Sequence, residues 1–331
     1  MALSDLAVYS EYAYSSMTEV LRQKIDLFNA ATGGAIQLRA AAHQGDYSDV
    51  AFFAKISGLV RRRNAYGSGN VSEKNMAHLV DTMVKVAAGT PPVRLDPGQF
   101  KWIQQNPEVA GAALGQQLAV DTMADMLNTG LGATYAALSA QSAVVHNATG
   151  LTAPEDTMSF LNLNKGQAKF GDQASMISAW VMHSKPMFDL YGKNLANAGS
   201  LFTYGTVNVI RDPFGKLLIM TDSPALFLDE AGGVGVDYYA TLGLVPGGVI
   251  IDQNNDFTAN EEAKNGGENI IRTYQAEWSY NVGVKGFAWD KANGGKSPND
   301  AALLTSTNWD KYATSHKDLE YANGFERYSG C

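Results

Sequence analysis

His183, Ser184 and Lys185 stand side by side, and a histidine beside a serine is the pair from which a nucleophile and its base can be made. Read as part of a strand, however, adjacent residues point to opposite faces, which separates the hydroxyl from the imidazole. The five histidines, His43, His78, His146, His183 and His316, lie far apart, so a zinc site would have to converge from distant segments. Three Gly-Lys pairs begin at Gly192, Gly215 and Gly295, and none has a glycine five positions earlier, so the Walker phosphate cradle is absent. Gly130-Leu-Gly132 and Gly233-Val-Gly235 each lack the third glycine of a dinucleotide fingerprint. Asp121 and Asp125, four residues apart, share one helix face and read as its wet side. Glu261-Glu262 falls in a polar stretch with no second acid assignable at glycosidase separation. These residues give no metal, nucleotide or triad signature, and no cofactor is expected.

The elements that would position them read as packing units. Between Gly171 and Asn194, Asp172 is a plausible helix cap, and Met176, Ile177 and Trp180 have the spacing of one buried helical face. Ala179–His183 reads equally well as a short buried strand. Ser184 and Pro186 then open a second helix with Met187, Leu190 and Tyr191 on its apolar side. A hairpin follows over 206–222. His183 is expected to be buried or hydrogen-bonded within this helix–strand–helix core.

Upstream, apolar residues at helical intervals predict a helix over 1–30, stopped by Thr32-Gly33-Gly34. From Ala35 to Arg63 the chain reads as an extended excursion, with its returning strand at Leu79–Ala87 and a short polar helix near Ser72–Lys74. Pro-rich Thr90–Gln99 is a connector. Asn106, Pro107 and Glu108 form a helix start, and an apolar stripe from Leu114 to Leu138 predicts the longest helix of the chain, on the order of 50 Å at ~1.5 Å per residue. Gly111, Gly115, Gly130 and Gly132 each weaken it by roughly 1 kcal/mol. Either another backbone packs closely there or the helix breaks near 128–132. Residues 147–171 are loop-rich, 238–251 read as strand, turn at Pro246-Gly247-Gly248 and strand, and 252–267 as polar loop. Ile270–Trp289 is a strong strand signal, and Ser297–Tyr312 a short capped helix with a turn.

The 331 residues carry a net charge of −8, 45% apolar and 18% charged residues, with 33 glycines. That balance argues against a nucleic-acid binder, whose footprint is a basic patch. Arg61-Arg62-Arg63 is the one basic run and reads as a solvated loop that pairs with acids. No stretch approaches the ~20 apolar residues of a membrane span, and the start lacks a secretory signal, so a cytoplasmic, membrane-free protein is expected. The single cysteine, Cys331, precludes an internal disulfide.

GDQASMISAWVMHSKPMFDL, VNVIRDPFGKLLIMTDSPAL, YQAEWSYNVGVKGFAWD and KSPNDAALLTSTNWDKY, in that order, resemble tailed-phage major capsid proteins of the Hong Kong 97-like fold. The similarity is greatest to coat proteins of short-tailed phages. The resemblance implies an α+β fold: N-terminal arm or helix 1–34, extended loop and flanking strands 35–96, spine helix of the peripheral domain 97–146, axial domain 147–267, and a return to the peripheral sheet with the tail 268–331. Permuted connections of this architecture also exist, which leaves the strand order open.

The implied function is structural and non-enzymatic: self-assembly through hexamers and pentamers into an icosahedral phage head that encloses double-stranded DNA without sequence preference. The implied partners are a separate scaffolding protein, a portal and, as an option, a decoration or cement protein, with assembly in the bacterial cytoplasm. Phe52 and Phe53, large apolar groups on an excursion with little core beneath it, are candidate subunit-interface anchors, and Arg61, Arg62 and Arg63 candidate ion-pair partners of a neighbouring subunit. Two alternatives stand beside this: an α/β enzyme whose site assembles from distant residues around His183 or His146, and a cellular nanocompartment shell of the same architecture.

Overall fold

The computed structural model describes residues 2–54, 56, 59–95, 103, 105–149, 151, 157–191, 199–204, 207–211, 215–228, 237–266, 268, 270–312 and 324–329. Cys331, His316, the Gly192 pair and Gly233-Val-Gly235 lie outside them. In chain order the elements are α1 (Ala2–Ala31), β1 (Ile36–Ala40), β2 (Tyr47–Phe53), β3 (His78–Gly89), β4 (Val93–Leu95), α2 (Pro107–Ser139), β5 (Val145–Asn147) and α3 (Phe160–Ala168). There follow β6 (Ala179–Met182), α4 (Ser184–Tyr191), β7 (Gly199–Tyr204), β8 (Val207–Arg211), β9 (Leu217–Thr221), β10 (Phe227–Leu228), β11 (Tyr238–Leu244) and β12 (Val249–Gln253). The chain continues through β13 (Thr258–Lys264), β14 (Ile271–Val284), β15 (Phe287–Trp289), α5 (Asp300–Leu303), β16 (Trp309–Lys311) and β17 (Gly324–Ser329).

Two mixed sheets share one hydrophobic core. The nine-stranded sheet is built around β14, the longest strand, which pairs with β4 and β13 along its first half and with β3 and β12 along its second. The eight-stranded sheet runs β5-β17-β11-β6-β9-β8-β7, with β10 on β11. Trp180, Leu218, Leu242 and Leu244 are buried in it. Gly243 lies opposite Trp180 in register, where a Cβ would come within 2.7 Å of the indole.

The turn at Pro246-Gly247-Gly248 carries the chain from β11 in one sheet to β12 in the other. Gly247 takes a positive φ of 72° and donates its N–H to Gly34 O at 2.6 Å. The predicted helix stop and the predicted turn thus meet, and the end of α1 is fastened where the two sheets join. Asn29 secures the same place, its side chain bonding both the N–H and the C=O of Leu38.

The long helix α2 is unbroken through Gly130 and Gly132. Its first half is amphipathic and its second half, Gly130 to Leu138, is buried on every side, as a helix driven through a core must be. The four glycines have neighbours that explain them. A Cβ on Gly111 would sit 2.6 Å from Tyr9 O and one on Gly115 2.3 Å from Ala13 O, while Gly130 meets Ile251 and Gly132 meets Leu304. Contacts advance together along both chains, Gly111 against Tyr9–Ala13 and Gly115 against Ala13–Met17, so α1 and α2 run in the same direction. Tyr9, Ala13, Met17, Leu21 and Phe28 form the buried face of α1.

Three expectations fail. Residues 171–176 form a 3-10 turn in which Met176 is exposed, because the chain extends at Ile177 toward β6. Ser72–Lys74 is irregular rather than helical. The polar stretch 252–267 contains β13, whose polar and charged composition (TANEEAK) hides a strand that is held by its pairing to β14.

Candidate assembly surface

β2 and β3 form the antiparallel hairpin of the excursion, with Phe53 opposite His78 at its open end. The other end is tied down electrostatically. Lys291 Nζ donates to Asp49 at 2.5 Å and lies 5.1 Å from the Tyr47 ring centroid, and Lys296 Nζ donates to Asp46 at 2.8 Å. The lysines hold both carboxyls below their ordinary pKa. Thr82 Oγ1 also donates to Asp49, at 2.8 Å. Lys291 lies 242 positions from Asp49, and no local spacing in the sequence announces such a pair.

The candidate anchors divide. Phe52 meets Tyr312 edge-on, ring centroids 5.2 Å apart, and so has a seat in its own chain. Phe53 is 62% exposed, beside the His78 ring at 4.6 Å. Beyond it, residues 59–77 are exposed throughout, with Val60 at 94% and Tyr66 at 100%. Asn64 shapes the tip by accepting the Tyr66 N–H at 3.0 Å. Arg61, Arg62 and Arg63 precede that turn, and none pairs with another of the described residues. The structure therefore keeps these three cations together with exposed apolar groups, whereas Phe52, next to Phe53 at the same end of the hairpin, packs on Tyr312 of its own chain.

His183 and Ser184 are closer than strand geometry allows, because the strand ends at Met182 and the helix α4 begins at Ser184. Ser184 Oγ lies 3.3 Å from Nδ1, and the Lys185 N–H points to the same nitrogen at 3.4 Å. A backbone N–H can only donate, so Nδ1 is the acceptor and Nε2 carries the proton toward Asp222, 3.7 Å away. Burial lowers the His183 pKa, with Asp222 opposing. The imidazole thus meets the first turn of a short helix, half-buried at the edge of the core and hydrogen-bonded, and of the burial or hydrogen bonding expected from the sequence it is the hydrogen bond that is found. His146 is likewise held toward neutrality, by burial first and then by Lys165 and Lys169. Among the described residues no cluster of three or more His, Cys, Asp or Glu side chains has metal-holding geometry, and no helix is long and apolar enough to cross a membrane.

Residues 5–320 match the profile of a family described as major capsid protein 13-like. The chain belongs to that family. No curated protein matches it by sequence. The cyanophage Pam1 capsid superimposes with a TM-score of 0.52 over 89% of each chain at 12% identity, which shows a shared capsid fold. Also similar are the capsid of Ralstonia phage GP4, at TM-score 0.47, 10% identity and 76% and 83% of the two chains, and that of Mycobacterium phage Bobi, at 0.44, 12% and 91% of each. This major capsid protein 13-like chain is thus a capsid-forming, self-assembling virion component with a structural role, and neither the enzyme nor the nanocompartment alternative is favoured.

Proposed function

We propose that this protein builds the icosahedral head around packaged double-stranded DNA, in the Hong Kong 97-like manner. Subunits associate into hexamers and pentamers in the bacterial cytoplasm, on a separate scaffolding protein and around a portal, with no catalytic step of their own. The long helix and the β14 sheet serve the peripheral domain, and the sheet containing Trp180 serves the axial domain. Decoration by a cement protein is compatible with this scheme.

The observation that carries the reading is the segment 59–77, fastened at its hairpin base yet exposed along its whole length, with Val60, Tyr66 and three arginines outward. A lone chain gains nothing from displaying such groups, whereas a neighbouring copy would bury them. Phe53 and Arg61–Arg63 are the assigned contact residues, and Phe52, whose ring meets Tyr312 of its own chain, is the neighbouring candidate.

Expression of the chain followed by gradient sedimentation and electron microscopy tests this directly. Large hollow particles are the expected result. A small oligomer that persists in the presence of scaffolding protein would overturn it.

A further inference from the structure

An asparagine side chain can be attacked by the backbone nitrogen of the next residue, and glycine, with no Cβ in the way, leaves that approach open. The chain holds three Asn-Gly pairs, beginning at Asn265, Asn293 and Asn323. Asn323 lies outside the described residues, and the other two pairs stand in opposite conditions.

Asn293-Gly294 is locked. The Gly294 N–H donates to Asp290 O at 2.8 Å, the Asn293 N–H donates to Asp290 Oδ1 at 3.3 Å, and the Asn293 side-chain amide donates to Asp290 Oδ2. The Trp289 ring covers the glycine so closely that a Cβ there would run into it. Neither the attacking nitrogen nor the side chain it must reach is free to move.

Asn265-Gly266 is open. It follows β13 directly, just outside the last ladder pair of the hairpin, Lys264 with Ile271. Both residues are exposed. Gly266 takes a φ of 106°, which L side chains rarely adopt, so the turn itself requires glycine after Asn265. A Cβ on Gly266 would meet nothing within 4 Å. Among the described residues, neither the Gly266 N–H nor the Asn265 side-chain amide has a hydrogen-bond partner.

We propose that Asn265 is a self-modification site, converted by the folded chain to aspartate and isoaspartate while Asn293 is preserved. The Gly266 nitrogen gives its proton to water and attacks Asn265 Cγ. A C–N bond forms, the Cγ–Nδ2 bond breaks, and ammonia leaves. Water then opens the cyclic imide at either carbonyl, which restores the N–H and leaves one carboxylate. Opening at the main-chain carbonyl routes the backbone through the side-chain carbon and inserts a methylene into the turn. Water is the only co-reactant. Each converted copy gains a negative charge beside Lys264, on a chain whose formal charge is already −8. The hairpin end thus becomes more acidic with age, copy by copy.

The test uses the purified full chain as unassembled subunit, held at mildly alkaline pH and sampled over time by peptic digestion in acid and mass spectrometry. Each conversion adds about 1 Da, and labelling by a protein isoaspartyl methyltransferase counts the isoaspartate. In the folded chain Asn265 should convert about tenfold or more faster than Asn293, because the bonds to Asp290 must open before the second pair can react. In urea the two rates should converge. Asp290→Ala should speed Asn293 toward the rate of Asn265, and should that variant not fold, the urea comparison decides. Asn265→Gln should hold the mass of its peptide constant in a subunit that remains folded by circular dichroism. An Asn265 no faster than Asn293 in the folded chain would overturn the proposal. A difference that persists in urea would overturn it as well, by assigning the contrast to local sequence rather than to the fold. Because the rates are read on the unassembled subunit, the outcome does not depend on how copies associate.

Discussion

α1 against α2 and the β2–β3 excursion are both long-range pairings of extended elements, but they end in opposite conditions. Along the helices, Gly111 and Gly115 remove side chains so that the α1 backbone comes to rest on α2, and Ser16 Oγ donates to Ala112 O at 3.2 Å. Apolar groups of α1 that face α2 are covered. The excursion starts in the same way, with Thr82, Lys291 and Lys296 fixing its base, but past Phe53 the covering stops. A chain able to bury Phe28 completely leaves Val60 and Tyr66 to solvent. The difference separates what must hold for a subunit to fold from what must hold for subunits to meet. Substitutions in the helix pair should cost stability, and those in the excursion should cost assembly.

The greatest loss is expected at Gly115. Leucine there has no room beside Ala13 O and Ser16 Cβ, and overpacking of this kind costs about 3 kcal/mol or more. Gly115→Ala is the sharper probe, since helix propensity alone favours alanine by roughly 1 kcal/mol. A net destabilisation in urea unfolding of the unassembled subunit would show that close packing outweighs propensity, and a stabilised variant would show that α1 does not need this approach.

Tyr280→Phe comes next. The hydroxyl stands between Thr129 Oγ1, at 3.0 Å, and the Asp125 carboxylate, at 2.8 Å, joining α2 to β14. Its removal should lower subunit stability by about 1–2 kcal/mol in the same measurement, part of it from an Asp125 left without its donor.

Much of this arrangement was legible in the sequence and some was not, for physical reasons. Helical spacing and the Asn106-Pro107-Glu108 start define α2, and the glycines in it already pointed to a close neighbour or a break. Which of these holds depends on α1 at Gly111 and Gly115 and on Ile251 and Leu304 at Gly130 and Gly132, all about a hundred residues or more away, and no pattern within α2 contains that information. β13 was missed because it is polar on both faces, with even Glu261 turned inward, so pairing to β14 rather than apolar alternation makes it a strand. The His183–Ser184 contact was missed because it sits on a strand–helix junction, where neither periodicity applies. Exposure of Arg61–Arg63 was readable from composition, whereas the pairing of Lys291 with Asp49 joins segments that only the fold brings together.

A pH titration probes the seat of α1 from the other side. Tyr9 of α1 meets Tyr274 edge-on at 6.1 Å, and Glu261 lies directly opposite Tyr274 on the neighbouring strand. Neither Glu261 Oε1 nor the Tyr274 hydroxyl has a partner among the described residues. Burial pushes the Glu261 carboxyl from 4.5 to about 7 and, with the neighbouring acidic groups, both tyrosines to about 12. A folded-state pKa above the unfolded one means that the folded state holds the proton more tightly. The contribution of Glu261 to stability is therefore fully present below about pH 4.5, falls as pH rises and is gone above about pH 7. Amide exchange in α1 should accelerate over that window, and Glu261→Gln should flatten the dependence. An unchanged slope in the variant would mean that another group governs the seat.

The smallest effect on stability should come from the most conspicuous residues. Arg61, Arg62 and Arg63 changed together to serine alter no described contact within the chain, so unfolding of the unassembled subunit should stay within about 0.5 kcal/mol of the parent. Loss of particles at unchanged subunit stability would place the whole consequence of these residues between copies. If stability instead fell as far as in Gly115→Ala, the excursion would be part of the subunit fold after all, and the contrast between the two regions would fail at its clearest point.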